Sequence, residues 1–142
     1  MTTQQLIVEV DCPPTIDSLP FLHQLSNDAL KDLQEEERIK RCFAINEGLI
    51  NAIKYSNGTD NFISFSIIKI GEYTDFIIKN YGAEVSKEVF EKLATLTFDD
   101  ILWEENGRGF LIINEIADEW SLSRDEQGRN ILKIRMRDEI YV

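Results

Sequence analysis

Two short sequences contain the residue types that chemistry on a phosphate requires. Glu47 and Asn51 stand four residues apart in a segment predicted to be helical, so both side chains lie on one helical face. The run Gly107-Arg108-Gly109-Phe110 comes later, where another helix is expected to begin. An amide oxygen can bind Mg²⁺, and the N–H groups at a helix start can bind phosphate. Together the two sequences predict a nucleotide site with a metal and a catalytic carboxylate.

The helix that carries Glu47 is predicted over residues 36–55. Its predicted apolar arc contains Ile39, Cys42, Phe43, Leu49, Ile50 and Ile53. At about 100° per residue, Glu47 lies near +40° and Asn51 near +80° from Phe43, at the flank of that arc. A border position lets both side chains face one cleft. A Glu and an Asn that only decorate an exposed helix edge are the alternative interpretation.

The remaining elements follow from hydrophobic periodicity and turn residues. Strands are predicted around residues 6–10 and over 62–70, 73–79, 120–123 and 131–134. Helices are predicted over 22–33, 87–96 and 110–117. Capping and proline signals at 17–20 introduce the first of these helices. Tight turns between successive strands make antiparallel pairs. The predicted fold is an α/β (α+β) two-layer sandwich with a mixed, mostly antiparallel sheet and helices on one face.

Composition narrows the class of protein. A chain of 142 residues with 43% apolar residues suits one domain, residues 1–142, with a substantial core. No segment reaches the roughly 18–20 apolar residues that span a bilayer, and the first residues lack a signal-peptide pattern. Cys12 and Cys42 are too few and too far apart for a disulfide framework or a zinc site. We therefore expect reduced thiols, a cytoplasmic location and no membrane association.

The net charge of −11 disfavours direct binding to nucleic acid, which depends on neutralising phosphates with Lys and Arg. The densest acidic run, residues 34–37, is interpreted as the solvated start of a helix. If the protein influences transcription, we expect it to act through protein partners.

The order of the motifs resembles a known family. Residues 44–53, Ala-Ile-Asn-Glu-Gly-Leu-Ile-Asn-Ala-Ile, resemble the N-box of the GHKL (histidine-kinase-like) ATPase superfamily. The likeness is greatest to the anti-sigma-factor serine/threonine kinases of bacterial partner-switching systems. Residues 107–119 resemble the second glycine box and the helix that follows it, and residues 128–134 occupy the place of the final hairpin. The resemblance covers nearly the whole chain and implies a Bergerat-type ATPase fold.

The resemblance also implies a role for each matching residue. Glu47 would be the general base, and Asn51 would hold the Mg²⁺ that bridges the ATP phosphates. Gly107 and Gly109 would let backbone N–H groups approach the phosphates. Arg108 would add a charge contact, although a solvent-facing Arg is the alternative. The segment 97–106 would form the lid over ATP.

Three positions depart from the family pattern. Asn80 stands where the family has the Asp that binds the adenine amino group, Gly82 is retained, and Glu84 replaces a second Gly. Asn130 replaces the usual Thr in the last hairpin. Exchanging a charged acceptor for the neutral Asn80 would cost about 1–1.5 kcal/mol, or roughly tenfold in affinity. Glu84 would bring a negative charge towards the phosphates.

Two functions remain in view. In the first, the chain binds ATP and Mg²⁺, phosphorylates a Ser or Thr of a small STAS-type antagonist protein and holds a sigma factor. In the second, it is an adaptor that kept the fold and lost efficient catalysis. The resemblance also implies a homodimer formed through the region of the first strand and first helix, and that strand would otherwise be an exposed sheet edge. His23, the only histidine, is expected to be a surface or partly packed residue without a catalytic role.

Overall fold

The computed structural model describes residues 3–56, 61–82 and 108–138. The strands are β1 (Gln4–Cys12), β2 (Ile63–Ile70), β3 (Tyr73–Tyr81), β4 (Glu119–Arg124) and β5 (Arg129–Arg137). The helices are α1 (Leu19–Ala29), α2 (Glu35–Tyr55) and α3 (Arg108–Ile116), and a 3-10 turn, Ile16–Ser18, precedes α1. The helix predicted over 87–96 and the lid predicted over 97–106 lie outside the described residues.

The five strands form one sheet in the order β1-β2-β3-β5-β4. Each of these four pairs is antiparallel, so the two-layer α+β prediction is confirmed and the expected mixed sheet is antiparallel throughout the described strands. Tight turns account for the β2–β3 and β4–β5 pairs, because Gly71 at φ 59° and Gly128 at φ 82° reverse the chain between these strands. β1 lies at a sheet edge, as expected.

Alternating side chains on β2, β3 and β5 form the sheet side of the core, and the helices supply the other side. The largest fully buried apolar members are Ile63, Phe65, Ile67, Phe76, Ile78, Ile134 and Met136 from the sheet, with Leu22, Ile45, Leu49 and Ile113 from the helices. α2 lies centrally, in contact with α1, α3 and β3. The helix with the candidate base is therefore fixed on several sides.

The predicted apolar arc of α2 was wrong for three of its six members. Ile39, Phe43 and Ile50 are 57%, 47% and 41% exposed, whereas Leu49 is buried and Cys42 and Ile53 pack against the core. The other buried positions of α2 are Arg41, Ala44, Ile45, Gly48 and Ala52. A Cβ on Gly48 would lie 2.8 Å from Cδ1 of Ile78 and 2.9 Å from Cδ2 of Leu132. At Gly48 the helix approaches the sheet so closely that a larger residue would not fit, and Ile39, Phe43 and Ile50 lie on the opposite side of the helix.

The start of α1 also differs in detail from the sequence prediction. Ser18 occupies the N-cap position but makes no side-chain cap hydrogen bond. Its hydroxyl donates to the carbonyl oxygen of Pro13 at 2.9 Å instead. The helix ends at Ala29, and Leu33 packs against the core from the connection that follows. His23 is exposed, as predicted, and its Nε2 hydrogen-bonds Oδ1 of Asn46 on α2.

Arg41 anchors the first half of α2 to the end of β5. Its side chain is 1% exposed. Nε donates to Oε1 of Glu37 at 3.0 Å, Nη1 to Oδ1 of Asp138 at 2.9 Å and Nη2 to the carbonyl oxygen of Arg137 at 3.1 Å. Thr74 Oγ1 also donates to Asp138. This network satisfies each nitrogen of a buried guanidinium, which makes its burial tolerable.

Asp75 is a second buried charge, on the sheet face that points away from the helices. Burial acts to raise the pKa of Asp75, but hydrogen bonds and charges from Arg135 and Lys133 outweigh burial and hold that pKa below its usual value.

Both cysteines are free thiols, and burial raises the pKa of Cys12 and of Cys42. In the described ranges, no helix is long and apolar enough to cross a membrane.

Candidate functional site

The first turn of α3 lies directly against the two polar residues of α2. A Cβ on Gly109 would lie 2.6 Å from Nδ2 of Asn51 and 3.2 Å from Oε2 of Glu47. Glu47 and Asn51 are half-buried and one turn apart on α2. The structure therefore brings together three residues that the sequence had placed in two separate motifs.

A steric constraint explains why residue 109 is a glycine. A contact of 2.6 Å is far shorter than a Cβ makes in a folded protein, so any side chain here would displace the Asn51 amide or α3. Arg108 is the first residue of α3. Gly107, predicted to contact phosphate, lies outside the described residues, as does the side chain of Arg108.

The ends of β3 and β5 supply two more predicted residues. Asn80 and Asn130 are directly opposite one another in the β3–β5 register. They are only 5% and 3% exposed. Both side chains point to the helix-covered face, because each occupies a buried position in the alternating pattern of its strand.

Gly82 follows β3, where the chain passes the last turn of α2. A Cβ on Gly82 would lie 1.9 Å from the carbonyl oxygen of Tyr55, so only glycine fits this crossing. In the sequence, Gly82 was noted for its place in a motif. In the structure, close packing against Tyr55 explains why a glycine is required there. Glu84 lies outside the described residues.

One cavity connects most of these residues. Its lining is Gly48, Asn51, Ala52, Tyr55, Ile78, Asn80, Phe110, Leu122, Asn130 and Leu132. The space open to a water-sized molecule is about 10 Å³, roughly what one water needs. A nucleotide base would have to separate these walls in order to enter. Burial raises the pKa of the Tyr55 hydroxyl above its usual value.

Two buried amide groups that face this cavity have no hydrogen-bond partner among the described residues. Nδ2 of Asn51 and Nδ2 of Asn80 make no hydrogen bond within the described part of the chain. Leaving a buried polar group unsatisfied costs about 1–3 kcal/mol. A third such atom, Nε of Arg38, belongs to a residue outside the cavity lining. Two unsatisfied amides on one cavity fit a ligand that presents hydrogen-bonding atoms there.

Arg124 is a member of this site that the sequence did not indicate. Nη1 of Arg124 donates to Oδ1 of Asn130, and Nη2 donates to the carbonyl oxygen of Gly82, each at 3.2 Å. One exposed side chain on β4 thus holds the ends of β3 and β5 together. Because Oδ1 of Asn130 accepts from Arg124, these bonds fix which way the amide is turned. No motif or local spacing reveals such a contact.

The donor set suits a hard cation bound together with phosphates. Glu47 offers carboxylate oxygens and Asn51 offers an amide oxygen, and Mg²⁺ prefers oxygen ligands and keeps several from water and phosphate. The chemistry available is thus one carboxylate beside an amide, at the start of a helix whose N–H groups favour anions.

Comparison with known proteins concerns the fold. No protein-family model matches this chain, and no curated protein sequence does. Among solved structures, it is similar to a chain in the SiaB–SiaC complex from Pseudomonas aeruginosa. The TM-score is 0.62 at 14% sequence identity, over 92% of this chain and 89% of that chain. The two chains share an architecture along nearly their whole length.

Proposed function

We propose that this protein is a GHKL-type regulator that binds Mg-ATP and phosphorylates a Ser or Thr of a small antagonist protein in a partner-switching system. The observation that carries the proposal is the meeting of Glu47, Asn51 and Gly109 beside the cavity that Asn80 and Asn130 line. The likeness to a chain that was solved in a protein complex supports a function through a protein partner.

In this proposal the cavity residues bind the base and the first turn of α3 binds the phosphates. Asn80 and Asn130 would hydrogen-bond the adenine, which would satisfy the Asn80 amide. Asn51 would ligate Mg²⁺ through its amide oxygen. Gly107, Arg108 and Gly109 would bring backbone N–H groups and one positive charge to the phosphates. When bound, Mg²⁺ would neutralise charge on the phosphates.

Glu47 would act on the partner's hydroxyl group. Its carboxylate would accept the hydroxyl proton while the hydroxyl oxygen bonds to the γ-phosphorus. The bond from that phosphorus to the oxygen shared with the β-phosphate breaks, so ADP leaves and the partner becomes a phosphoester. The short distance between Glu47 and the start of α3 suits a base that works beside phosphates.

The protein partners follow from the same proposal. A STAS-type antagonist would receive the phosphate, and a sigma factor would be held when the antagonist is phosphorylated. A homodimer would form at the β1 edge, where Leu6 is 54% exposed. Light scattering at micromolar concentration tests the dimer, because a mass near 16.5 kDa, that of one chain, would contradict it.

An adaptor without efficient ATP use is the second candidate function. The observation that favours it is the narrow cavity of about 10 Å³, together with Asn80 in the adenine position. In this case the fold would present a binding surface, and nucleotide would be a weak or absent ligand.

Calorimetric titration with Mg-ATP separates the two candidates when it is applied to the wild-type protein and to Asn80→Asp. Micromolar binding by the wild type, tightened about tenfold in Asn80→Asp, supports the nucleotide site. Binding by Asn80→Asp alone favours the adaptor. No binding by either protein contradicts the nucleotide site altogether.

A Glu47→Ala variant tests the base. We expect it to lose phosphoryl transfer while it binds Mg-ATP as the wild type does, because general-base catalysis contributes about 10²–10⁴-fold to rate. Transfer that survives in Glu47→Ala would show that another group takes the proton.

A further inference from the structure

The polar side chains that line the cavity beside α2 are neutral. Three of them are the amides of Asn51, Asn80 and Asn130, and the fourth is the phenol of Tyr55. The rest of the lining is glycine or apolar. An amide can both donate and accept hydrogen bonds, whereas an ionised carboxylate only accepts. Among the described residues no carboxylate lines this cavity, so its walls can donate to a ligand that carries acceptor atoms.

Asn80 presents a buried donor to this cavity. The residue is 5% exposed, and its side chain points to the helix-covered face at the end of β3. Its Nδ2 makes no hydrogen bond with any described residue. A buried N–H without an acceptor destabilises the folded protein, and a bound acceptor atom relieves that penalty. The group therefore matches a ligand that places an oxygen or an unprotonated nitrogen against Asn80.

Asn130, on the neighbouring strand, is held in one orientation. It lies directly opposite Asn80 in the β3–β5 register. Its Oδ1 accepts a hydrogen bond from Nη1 of Arg124 at 3.2 Å. The acceptor atom of this second amide is therefore already engaged by a cation, and its NH₂ group lies on the side away from Arg124. The pair of asparagines thus favours donation to a ligand where the ends of β3 and β5 meet.

Purine bases differ in what they present to such a pair. Adenine carries an amino group at C6, which donates, whereas guanine and hypoxanthine carry a carbonyl oxygen, O6, which accepts. A carboxylate in the place of Asn80 would bind the amino group and repel O6. The amide of Asn80 can donate to O6 through Nδ2 in the orientation that the structure shows. It accepts from the adenine amino group only when the amide has turned over.

We propose that Asn80 makes the nucleotide site bind 6-oxopurine nucleotides, those of guanine or hypoxanthine, at least as tightly as it binds ATP. O6 of the base accepts the hydrogen bond from Nδ2 of Asn80 that no described residue accepts. This inference rests on the proposed nucleotide site, and it adds the class of base that the site takes. The proposed role of Glu47 is unchanged, because Glu47 acts on the phosphoryl group and not on the base.

Calorimetric titration with Mg-ATP, Mg-ITP and Mg-GTP tests the choice of base. ITP differs from ATP only in the 6-oxo group and the proton that accompanies it on N1, so this pair isolates the edge that Asn80 reads. Wild-type protein should bind Mg-ITP at least as tightly as Mg-ATP. Guanine adds an amino group at C2, so Mg-GTP shows whether the narrow cavity also admits that group.

Asn80→Asp should reverse the preference. It replaces the donor by an acceptor, so Mg-ATP affinity should rise about tenfold and Mg-ITP affinity should fall by at least about tenfold. Asn27→Asp introduces the same charge at an exposed residue of α1, and it should leave the ratio of the two affinities as in the wild type. The ratio in the wild-type protein tests the inference by itself if Asn80→Asp fails to fold.

Each outcome decides the matter. Binding of Mg-ITP by the wild type at least as tight as that of Mg-ATP, with the preference reversed in Asn80→Asp alone, supports the inference. Tighter binding of Mg-ATP than of Mg-ITP and Mg-GTP by the wild type overturns it and leaves the proposed function standing. No binding of any of the three nucleotides overturns both. A reversal in Asn27→Asp as well, or none in a folded Asn80→Asp, overturns the assignment of base selection to Asn80.

Discussion

At the start of α2, Arg41 is buried with a partner for each guanidinium nitrogen: Glu37, Asp138 and the carbonyl of Arg137. Nearer its C-terminal end, the same helix presents Asn51 to a cavity where Nδ2 of Asn51 and Nδ2 of Asn80 have no partner among the described residues. Both regions contain buried polar groups, but among the described residues only those of the first region all have hydrogen-bond partners.

The difference separates a structural role from a binding role. A buried charge that is fully hydrogen-bonded stabilises one arrangement of the chain, because breaking the pair leaves its partner buried without compensation. A buried amide without a partner costs free energy in the folded protein, and a ligand can recover that cost. Arg41 therefore fixes α2 in place, and the two amides keep hydrogen-bonding capacity for whatever enters.

The largest expected effect is on stability, from Arg41→Ala. We expect the free energy of unfolding to fall by about 3–5 kcal/mol, because the change leaves Glu37 and Asp138 without their shared cation. Urea denaturation measures it. Arg137→Ala, which removes an exposed pair with Glu72, should cost less than about 1 kcal/mol. Similar losses in the two variants would mean that the Arg41 network contributes little.

Asn51→Ala should weaken ligand binding without lowering stability, the reverse of the effect expected for Arg41→Ala. Loss of an oxygen ligand near charged phosphates should weaken Mg-ATP binding by roughly tenfold to a hundredfold. The free energy of unfolding should stay the same or rise, since a buried donor without a partner disappears. Calorimetry and urea denaturation measure the two quantities. Asn27→Ala on α1 is the control, and unchanged Mg-ATP affinity in Asn51→Ala would exclude the assigned role.

The smallest expected effect is the loss of Mg-ATP affinity in Arg124→Gln. Without the bonds to Asn130 and Gly82, the ends of β3 and β5 lose a shared restraint, and Mg-ATP affinity should fall by about fivefold, or roughly 1 kcal/mol. Arg129→Gln removes the same charge from the next strand, where Arg129 pairs with Asp125. Equal losses in both variants would attribute the effect to net charge and not to the positioning of Asn130.

Hydrophobic periodicity and turn residues predicted the described strands and helices well, but they predicted the buried face of α2 poorly. Glu47 and Asn51 lie at the border of the buried surface, as predicted, but the buried side is the one with Ala44, Gly48 and Ala52. Counting large apolar residues selected the opposite side. Hydropathy does not report how closely a helix approaches a sheet, and here close approach requires small residues.

Only part of the candidate site could be predicted from the sequence. Glu47, Asn51, Asn80 and Asn130 were predicted because the motifs that resemble those of a known family are local in sequence. Arg124 was not, because its two contacts join three strand ends that come together only in the folded chain. The exposure of Ile39, Phe43 and Ile50 was likewise not predicted, since the apolar arc was expected to face the core.

Within the described residues, the sequence by itself determined the strands, the helices and the two glycine turns, because alternation, helical periodicity and glycine at positive φ act over a few residues. Only the tertiary structure decided that β3 pairs with β5, which sets Asn80 opposite Asn130. The same is true of Arg41, whose carboxylate partner Asp138 is 97 residues away. Such contacts depend on how whole elements pack, and the identity of neighbouring residues does not encode them.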